Sequence, residues 1–374
     1  MRLDQPTTPC AVVELARLEV NASGMVEHAR RLGVRLRPHV KTHKCVEAAR
    51  LQTAGEHGGI TVSTLAEARA FAAAGFRDIT WAVPVALDRL DECAELVRRT
   101  DHFRVLVDHL RAVAELEAFA AAHALRFEVV LEVDCGHHRS GVDPDDPAAV
   151  RLAGAIHSSP DLELAGILTH AGQSYRCGSR AEAAGVARHE RDVMVAFAGR
   201  LRAAGIAVTE VSIGSTPTVT AAEDLAGVTE VRPGNYLLFD AFQAAIGSCR
   251  LDEVAFSVLA TVLGIYPERQ ELVINAGALA LSKDPGPVHV DPSCGFGVVV
   301  EAVGQRPVAG LRVVSLSQEH GVLRSDHALD PSWQPGSRVR ILPNHSCLAA
   351  ACFGRFHVVR GREIVDVWHP IRGW

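Results

Sequence analysis

The stretch GITVSTLAEARAFAAAGFRDITWAV, residues 59–83, contains one complete repeat of the pattern on which the fold depends. Its first run, GITVST, is β-branched and ends in serine and threonine, as strands that lead into helices do. The next segment, LAEARAFAAAG, carries alanine, leucine and charged residues at helical spacing and ends in glycine. The run DITWAV then begins another strand. A strand that leads through a helix into a further strand predicts a parallel β/α unit.

The same unit recurs along the first two thirds of the chain. Eight strand-like runs are separated by helical segments: RLRPHVKT (35–42), GITVST (59–64), DITWAV (78–83), FRVLVD (103–108), FEVVLEVD (127–134), LELAGILTH (162–170), TEVSIGS (209–215) and VTEVRPG (228–234). Strand followed by helix, eight times, predicts a (β/α)8 barrel. A doubly wound open sheet is the competing architecture, but it gives no reason for the count to stop at eight.

From about residue 246 the chain changes to β-rich segments separated by turn residues, without helical periodicity. We therefore predict an α/β protein with two domains, a (β/α)8 barrel over 13–245 and a mainly antiparallel β domain over 246–374. The early run CAVVEL (10–15) precedes the first barrel helix and is not one of the eight runs. Residues 1–12 are therefore expected to pair with the β domain.

Composition and charge argue against several classes of function. With 48% hydrophobic and 22% charged residues, the chain of 374 residues is predicted to be a folded globular protein. Its net charge of −6 and its lack of an arginine-rich run argue against nucleic acid as a partner. No signal-peptide pattern and no apolar run of membrane-spanning length are present, so we expect a cytoplasmic protein with no membrane partner. Nine cysteines without regular spacing are expected to be mostly reduced.

Polar side chains stand at the ends of the predicted strands, where β/α barrels carry their chemistry. Serine, threonine and aspartate at such positions are typical helix N-caps, and we assign that role to Thr64 and Asp108. Four other strand ends carry residues that are not capping types: Lys41, Arg139, His170 and Arg232. Because the strand ends of a barrel meet at one mouth, these four side chains predict a functional site there.

The motif GSTPT, residues 214–218, follows the seventh predicted strand. Barrels commonly hold a phosphate group at this place through backbone N–H groups and a short helix. A plain capped turn explains the motif alone equally well. In combination with a lysine at a strand end, the motif favours pyridoxal 5′-phosphate (PLP), whose aldehyde requires an amine and whose phosphate requires a cradle. The alternative for Lys41 is a solvated lysine at a strand end.

Several motifs occur together in a fixed order: RPHVKTHK, VDCGHHRSGV, LTHAGQSY, SIGSTPT, EVRPGNYLLFD, SQEHG and PNHSC. In this order they resemble the D-serine dehydratase and D-threonine aldolase family of fold-type III PLP enzymes, over nearly the whole chain. Within that family the chain is most similar to the zinc-dependent D-serine and D-threo-3-hydroxyaspartate dehydratases. Alanine racemase is a more distant relative with the same plan of barrel and β domain. The resemblance implies PLP as the cofactor and a homodimer as the assembly.

The resemblance also implies roles for individual residues. Lys41 would form the Schiff base with PLP and take the Cα proton of the substrate. Arg139 would approach the phenolic oxygen of PLP, and His170 would pack near its ring. The remaining cofactor residues would be Tyr175, Gly214, Ser215, Thr216, Arg232, Gly234, Asn235 and Tyr236, with the phosphate on Gly214, Ser215 and Thr216. Either Arg232 or Tyr175 would face the pyridine nitrogen, and the sequence leaves this choice open.

The motif PNHSC places His345 and Cys347 two residues apart. In an extended segment such side chains point the same way, so that an imidazole and a thiolate could share one metal ion. Two protein ligands leave positions open for water and substrate. The HxC pattern alone is a common accident, but the resemblance implies that it binds zinc. Aldolases of the family typically carry HxD with manganese, and thiolate ligands favour zinc over manganese.

The resemblance and Cys347 together imply a PLP- and zinc-dependent dehydratase. Its substrate would be a small D-β-hydroxy amino acid such as D-serine or D-threo-3-hydroxyaspartate, and its products a 2-oxo acid and ammonia. A metal-dependent D-threonine aldolase, which releases glycine and an aldehyde, is the first alternative, and a non-catalytic PLP-binding protein is the second. His320 in SQEHG stands either near the metal or in a loop that it caps.

Overall fold

The computed structural model describes residues 2–54 and 58–374 and divides the chain into two compact units. The barrel unit comprises Gly24–Gly234 with Ile371–Trp374, and the β unit comprises the residues up to Ser23 with Asn235–Pro370. The first strand, β1 (Cys10–Glu14), belongs to the β unit, and the division between the units falls within the helix α1 (Leu15–Arg31).

The barrel unit contains a sheet of eight parallel strands, which confirms the predicted fold class. The strands are β2 (Arg35–Leu36), β3 (Ile60–Val62), β4 (Asp78–Pro84), β5 (His102–Val107), β6 (Phe127–Glu132), β7 (Leu162–Leu168), β8 (Glu210–Ile213) and β9 (Glu230–Val231). Strands β3 to β9 are neighbours in chain order, and β2 pairs with β9. A parallel bridge between His39 and Thr61 brings the chain after β2 beside β3 and closes the barrel.

Helices follow the strands as the alanine-rich segments predict. They are α2 (Val46–Gln52), α3 (Leu65–Ala73), α4 (Leu90–Arg99), α5 (Leu110–His123), α6 (Pro147–Ser158), α7 (Arg180–Ala203) and α8 (Thr216–Ala221). Thr64 caps α3 as predicted, because its hydroxyl accepts a hydrogen bond from the Glu67 N–H at 3.1 Å. Alanine and leucine side chains of these helices are buried against the strands, which places the hydrophobic core between the two layers.

The predicted cap at Asp108 is wrong. His109 is the N-cap of α5, and its ring nitrogen accepts a hydrogen bond from the Arg111 N–H at 3.1 Å. The Asp108 carboxylate instead accepts a hydrogen bond from the Gly141 N–H at 3.0 Å. Asp108 therefore ties the end of β5 to the loop that follows β6, a contact distant in sequence that no local capping pattern encodes.

Charged side chains fill the barrel interior near the strand N-termini. Arg37 is fully buried and donates two hydrogen bonds to Asp78, at 2.7 and 3.0 Å, and one to Glu230, at 2.7 Å. Arg104 donates a further hydrogen bond to Asp78. These contacts pair the buried charges with opposite ones, as burial of ions requires.

The β unit is a nine-stranded sheet with the order β11-β14-β13-β12-β15-β10-β1-β16-β17. Its further strands are β10 (Phe256–Tyr266), β11 (Glu271–Ile274), β12 (Val298–Glu301), β13 (Pro307–Leu316), β14 (Gly321–Ser325), β15 (Arg338–Leu342), β16 (Phe356–Arg360) and β17 (Glu363–Trp368). All pairings are antiparallel except that of β1 with β16, and a contact of β10 with β11 closes six of the strands into a ring.

Three short helices, α9 (Ala241–Ala245), α10 (Ala278–Leu281) and α11 (Ser346–Ala351), interrupt the strands of the β unit. Buried side chains from β1, β10 and β16, among them Val12, Leu259 and Val359, form one of its hydrophobic clusters. Of the helices in the described ranges, none combines the length and apolar character that crossing a membrane requires.

Candidate active site

Lys41 lies in a single turn of 3-10 helix, Val40–Thr42, which follows β2 at the C-terminal end of the barrel strands. It lines a cavity of about 380 Å³. His39, from the same segment, also lines the cavity. The other lining residues come from the ends of six further strands and the loops after them: Ser63, Ala82, Val83, Pro84, Glu132, Arg139, Ser140, Leu168, His170, Gly214 and Arg232. The cavity is therefore the predicted mouth of the barrel, where enzymes with this fold carry their chemistry.

The structure brings five of the predicted cofactor residues to this one cavity: Lys41, Arg139, His170, Gly214 and Arg232. They come from five separate places in the chain, and the barrel alone places them together. The assignment of these residues to PLP stays a prediction.

Four further residues predicted to bind the cofactor are not among the described residues that line the cavity: Tyr175, Ser215, Thr216 and Gly234. Ser215 and Thr216 are buried at the start of α8, and Tyr175 lies in the 3-10 helix Gly172–Arg176 that follows His170. Gly234 packs so closely on the chain before Lys41 that a Cβ there would lie 2.8 Å from the His39 carbonyl oxygen.

Two half-buried histidines, His39 and His170, line the same cavity as Lys41. Burial lowers the pKa of His39 and of His170 well below the usual range, and the positive charges of Lys41 and of nearby arginines lower both further. Both imidazoles are therefore neutral at pH 7. His170 was predicted to belong to the site but His39 was not, although His39 lies only two residues before Lys41.

Arg232 is anchored below the cavity by groups of the neighbouring strands. Its guanidinium donates to the Ser212 hydroxyl at 2.5 Å, to the Ile213 carbonyl oxygen at 3.4 Å and to the Thr169 carbonyl oxygen. Only 5% of the residue is exposed. Arg232 therefore presents a fixed positive charge to the cavity.

The predicted phosphate loop lies close to the side chain of Val219 at Gly214, where a larger residue would not fit. Gly214 has a φ of +109°, and a Cβ there would lie 2.6 Å from Cγ2 of Val219. Ser215 caps α8 by accepting a hydrogen bond from the Thr218 N–H at 3.3 Å, and its own N–H donates to the Thr218 hydroxyl at 2.9 Å. The loop thus offers a glycine and several hydroxyls where the sequence predicts a phosphate, but part of its hydrogen bonding is internal.

Glu190 supports this loop and was not predicted. Its buried carboxylate accepts hydrogen bonds from the Gly214 N–H at 3.0 Å and from the Ala171 N–H at 3.1 Å. Glu190 thereby connects the phosphate loop to the residue after His170. No motif marks a glutamate in the middle of α7 as part of a site, since its partners lie on two other elements.

Lys44, the second lysine of RPHVKTHK, has another function in the fold. Its ammonium group forms an ion pair with the buried Glu67 carboxylate at 2.8 Å. Glu67 also accepts a hydrogen bond from the Ser63 N–H at 2.9 Å. Lys44 thus pairs with a carboxylate in the first turn of α3, whereas Lys41 lines the cavity.

His345 and Cys347 lie together in the β unit, but for a different reason from the one predicted. The segment is not extended, because His345 is the N-cap of α11 and Cys347 is the second residue of that helix. Burial alone would lower the pKa of His345, yet the neighbouring Cys347 and a hydrogen bond to Asp284 raise it to about 11. The surroundings therefore favour a positive charge at this place, which suits a bound cation.

Asp284 orients the imidazole and was missed by the sequence analysis. Its carboxylate lies 3.1 Å from the Nδ1 atom of His345. A carboxylate on one ring nitrogen is the usual partner of a histidine that binds a metal through the other. Across residues 2–54 and 58–374, no group of three or more histidine, cysteine or acidic side chains forms a metal cluster. The donor set is thus a pair, as in a site that leaves positions open.

Asn235 and Tyr236, predicted to lie close to PLP, belong to the 3-10 helix Asn235–Leu237 of the β unit. The Asn235 amide donates to the Asp240 carboxylate at 2.7 Å and lies 3.8 Å from the Cys347 sulfur. His320 is exposed in the turn between β13 and β14, where its role stays open.

A parallel barrel with a strand-end lysine in its mouth, joined in sequence to an antiparallel β unit, defines the class of alanine racemase-like proteins of fold type III. The chain belongs to this family, because the model described as "Alanine racemase, N-terminal domain" matches residues 13–241. The model described as "Putative serine dehydratase domain" matches residues 255–359. The predicted family is thus confirmed.

Individual relatives are similar over their full length. D-threo-3-hydroxyaspartate dehydratase of Delftia sp. is 40% identical, with 98% of each chain covered. D-serine dehydratase of Dictyostelium discoideum is 35% identical, with 98% of this chain and 97% of the relative covered. A solved mutant of D-threo-3-hydroxyaspartate dehydratase in the metal-free form has a TM-score of 0.96 at 39% identity, covering 100% of both chains. D-threonine aldolase of Arthrobacter sp. is less similar, at 29% identity over 96% of this chain and 91% of the relative.

Proposed function

We propose that the protein is a PLP- and zinc-dependent dehydratase of D-β-hydroxy amino acids, such as D-serine or D-threo-3-hydroxyaspartate, that forms a 2-oxo acid and ammonia. The observation that carries this proposal is the pairing of His345 with Cys347 beside Asp284. A thiolate in this position favours zinc, whereas the carboxylate of a manganese site would favour the aldolase. The greater similarity to dehydratases than to D-threonine aldolase supports the same choice.

The cavity of the barrel unit is suited to PLP. It offers one lysine for the aldehyde, two arginines for the anionic oxygens of cofactor and substrate, and a glycine loop that a Cβ would fill. Lys41 would hold the aldehyde carbon, Arg139 the phenolic oxygen and the loop at Gly214 the phosphate. When bound, PLP supplies an electron sink for the charge that develops at Cα, and zinc supplies a Lewis acid for the β-hydroxyl group.

The residues of the chain then have separate tasks. The Lys41 amine would act as the base that takes the proton from Cα of the substrate. His39 and His170 pack beside it as neutral imidazoles, so neither adds a positive charge next to the amine. Leu168 and the segment Ala82–Pro84 supply apolar walls that reduce the access of water. His345 and Cys347 would hold the zinc ion, and the Asp284 carboxylate fixes the His345 ring through its contact with Nδ1.

A substrate assay with matched conditions tests this function. Purified protein loaded with PLP and zinc is incubated with D-serine, D-threo-3-hydroxyaspartate or D-threonine, with and without a chelator. A 2-oxo acid and ammonia from one of the first two substrates, lost on chelation and restored by zinc, is the expected result. Glycine and an aldehyde would identify an aldolase instead. No turnover of any D-substrate, despite bound PLP, would leave only the non-catalytic PLP-binding protein.

We further propose a cytoplasmic homodimer, with a small-molecule D-amino acid as substrate. The resemblance to the family supports the dimer, and the nine free cysteines suit a reducing compartment. Light scattering on the purified protein should give twice the chain mass of 40.0 kDa. A mass of one chain would overturn the dimer without affecting the proposed reaction.

A further inference from the structure

A chain of hydrogen bonds runs through the barrel interior to Arg232. The Arg232 guanidinium donates to the Ser212 hydroxyl at 2.5 Å, and this hydroxyl donates to the Glu230 carboxylate at 2.6 Å. The other oxygen of Glu230 accepts a hydrogen bond from Arg37 at 2.7 Å, and Arg37 in turn binds Asp78. A hydroxyl can donate one hydrogen bond and accept others, so Ser212 satisfies both neighbours at once.

The residues that connect Arg232 to Asp78 in this hydrogen-bond network lie inside the barrel. Arg37 and Ser212 are fully buried, and Glu230 is 1% exposed. Water therefore cannot replace any of the contacts, and a buried polar network that is fully satisfied is rigid. The cavity with Lys41 lies at one end of the network, because Arg232 lines it.

The charged side chains of this hydrogen-bond network alternate in sign. Asp78 and Glu230 flank Arg37, and Glu230 also faces Arg232 through Ser212. Burial lowers the pKa of Arg232, whereas the carboxylates of Glu230 and Glu190 act in the opposite direction. Glu230 thus offsets the cost of burying a guanidinium charge beneath the cavity.

We propose that Ser212 and Glu230 are positioning residues, which fix the orientation and charge of the Arg232 guanidinium toward a cofactor in the cavity. This inference rests on the proposed function, since it concerns the PLP that this function requires. Neither residue lines the cavity, so both act only through Arg232. Loss of the Ser212 hydroxyl removes one of three acceptors of the Arg232 guanidinium and its link to Glu230, so that Arg232 is held less firmly. The bound cofactor then meets a different electrostatic environment.

Two variants that each remove one buried hydroxyl from a barrel strand test the inference. Ser212→Ala removes the contact to Arg232. Thr80→Val is the control, because Thr80 is 2% exposed and its hydroxyl has no partner among the described residues. The measurements are the Kd for PLP, the visible absorbance maximum of the bound cofactor and the thermal unfolding of the protein without PLP.

Ser212→Ala is expected to raise the Kd for PLP about tenfold, because a guanidinium that no longer holds one orientation must be ordered when the cofactor binds. The absorbance maximum should also shift, and Thr80→Val should change neither quantity. Glu230→Gln, which keeps the side-chain size but removes the charge, should shift both in the same direction.

A folded Ser212→Ala protein with unchanged Kd and absorbance would overturn the inference, as would equal changes in Ser212→Ala and Thr80→Val. A decrease in thermal stability without a change in either cofactor property would also overturn it, because that indicates a structural role only. Failure of the wild-type protein to bind PLP would overturn the proposed function itself. The two failures are therefore distinguishable.

Discussion

Two lysines three residues apart have different environments. Lys41 lines the cavity, whereas Lys44 is paired with Glu67. Lys41→Ala is therefore expected to lose both the visible absorbance of lysine-bound PLP and all dehydratase activity, measured by spectroscopy and by 2-oxo acid release. Lys44→Arg keeps the charge opposite Glu67 and should retain the absorbance. Absorbance that persists in Lys41→Ala would show that the cofactor is attached to another amine.

Gly214 is required at its position for two separate reasons, its left-handed backbone and its closeness to Val219. Gly214→Ala should raise the Kd for PLP by at least about tenfold, because the added Cβ displaces the loop from Val219. Gly205→Ala is the matched control, since Gly205 also has a positive φ, of +79°, but has no atom within 4 Å of the added Cβ. An equal loss of PLP affinity in both variants would assign the effect to general backbone strain.

The thiol of Cys347 can be tested against a second cysteine of the same segment. Cys347→Ala should lose bound zinc, measured by elemental analysis, because one of the two protein ligands is removed. Cys352→Ala changes an exposed cysteine at the end of α11 and should keep the metal. If Cys347→Ala still binds one zinc ion per chain, Cys347 is not a ligand and the metal lies at another site.

At the scale of elements, the strands and helices of the barrel could be predicted because each follows from local periodicity. Each of the eight predicted runs overlaps an observed strand, and a sheet order that follows the chain is what β/α connections predict. Local patterns were insufficient where a tertiary contact decides the structure. The predicted extended segment at His345 is a helix start, and the predicted cap at Asp108 binds Gly141 instead.

The candidate site could be predicted only in part, for the same reason. Lys41, Arg139, His170 and Arg232 were found because their strand ends meet at one mouth. Glu230 was not assigned to the site although it lies two residues before Arg232, whereas Glu190 and Asp284 were not found because each acts on a residue far away in sequence. Nothing in the sequence near these two acids marks their partners.

The ion network inside the strands predicts how stability depends on pH. Burial alone would raise the pKa of Asp78, but its contacts with Arg37 and Arg104 hold that pKa well below the usual range. Because the folded value is below the unfolded value of about 3.9, Asp78 stabilises the fold above that pH, and this contribution is lost on acidification. Below pH 4 the free energy of unfolding should fall by up to about 1.4 kcal/mol per pH unit from this carboxyl group.

Asp78→Asn isolates this contribution in urea titrations between pH 3 and 7. The variant should be less stable at pH 7 by about 3–5 kcal/mol, since it breaks a buried ion pair, and should depend less on pH below 4. Asp145→Asn, at a highly exposed aspartate, is the control. If the free energy of unfolding falls with pH in the same way in wild type and Asp78→Asn, Asp78 does not cause the acid sensitivity.

At the scale of the whole molecule, the cofactor cavity and the metal pair are built by different units. The described residues that line the cavity with Lys41 belong to the barrel unit, whereas His345, Cys347 and Asp284 belong to the β unit. Removal of one group should therefore leave the other in place. Dialysis against a chelator is expected to abolish dehydratase activity and bound zinc but to keep the visible absorbance of PLP.

The reciprocal experiment makes this prediction sharper. Lys41→Ala should lose the PLP absorbance and keep stoichiometric zinc, because neither His345 nor Cys347 is among the described residues that line the cavity. Zinc added back to the chelated wild-type protein should restore activity, which separates metal loss from unfolding. Loss of PLP on chelation, or loss of zinc in Lys41→Ala, would show that the sites depend on each other for occupancy. If each unit binds its own group but the reaction needs both, PLP and zinc should bind independently of each other, and dehydratase activity should require the two together.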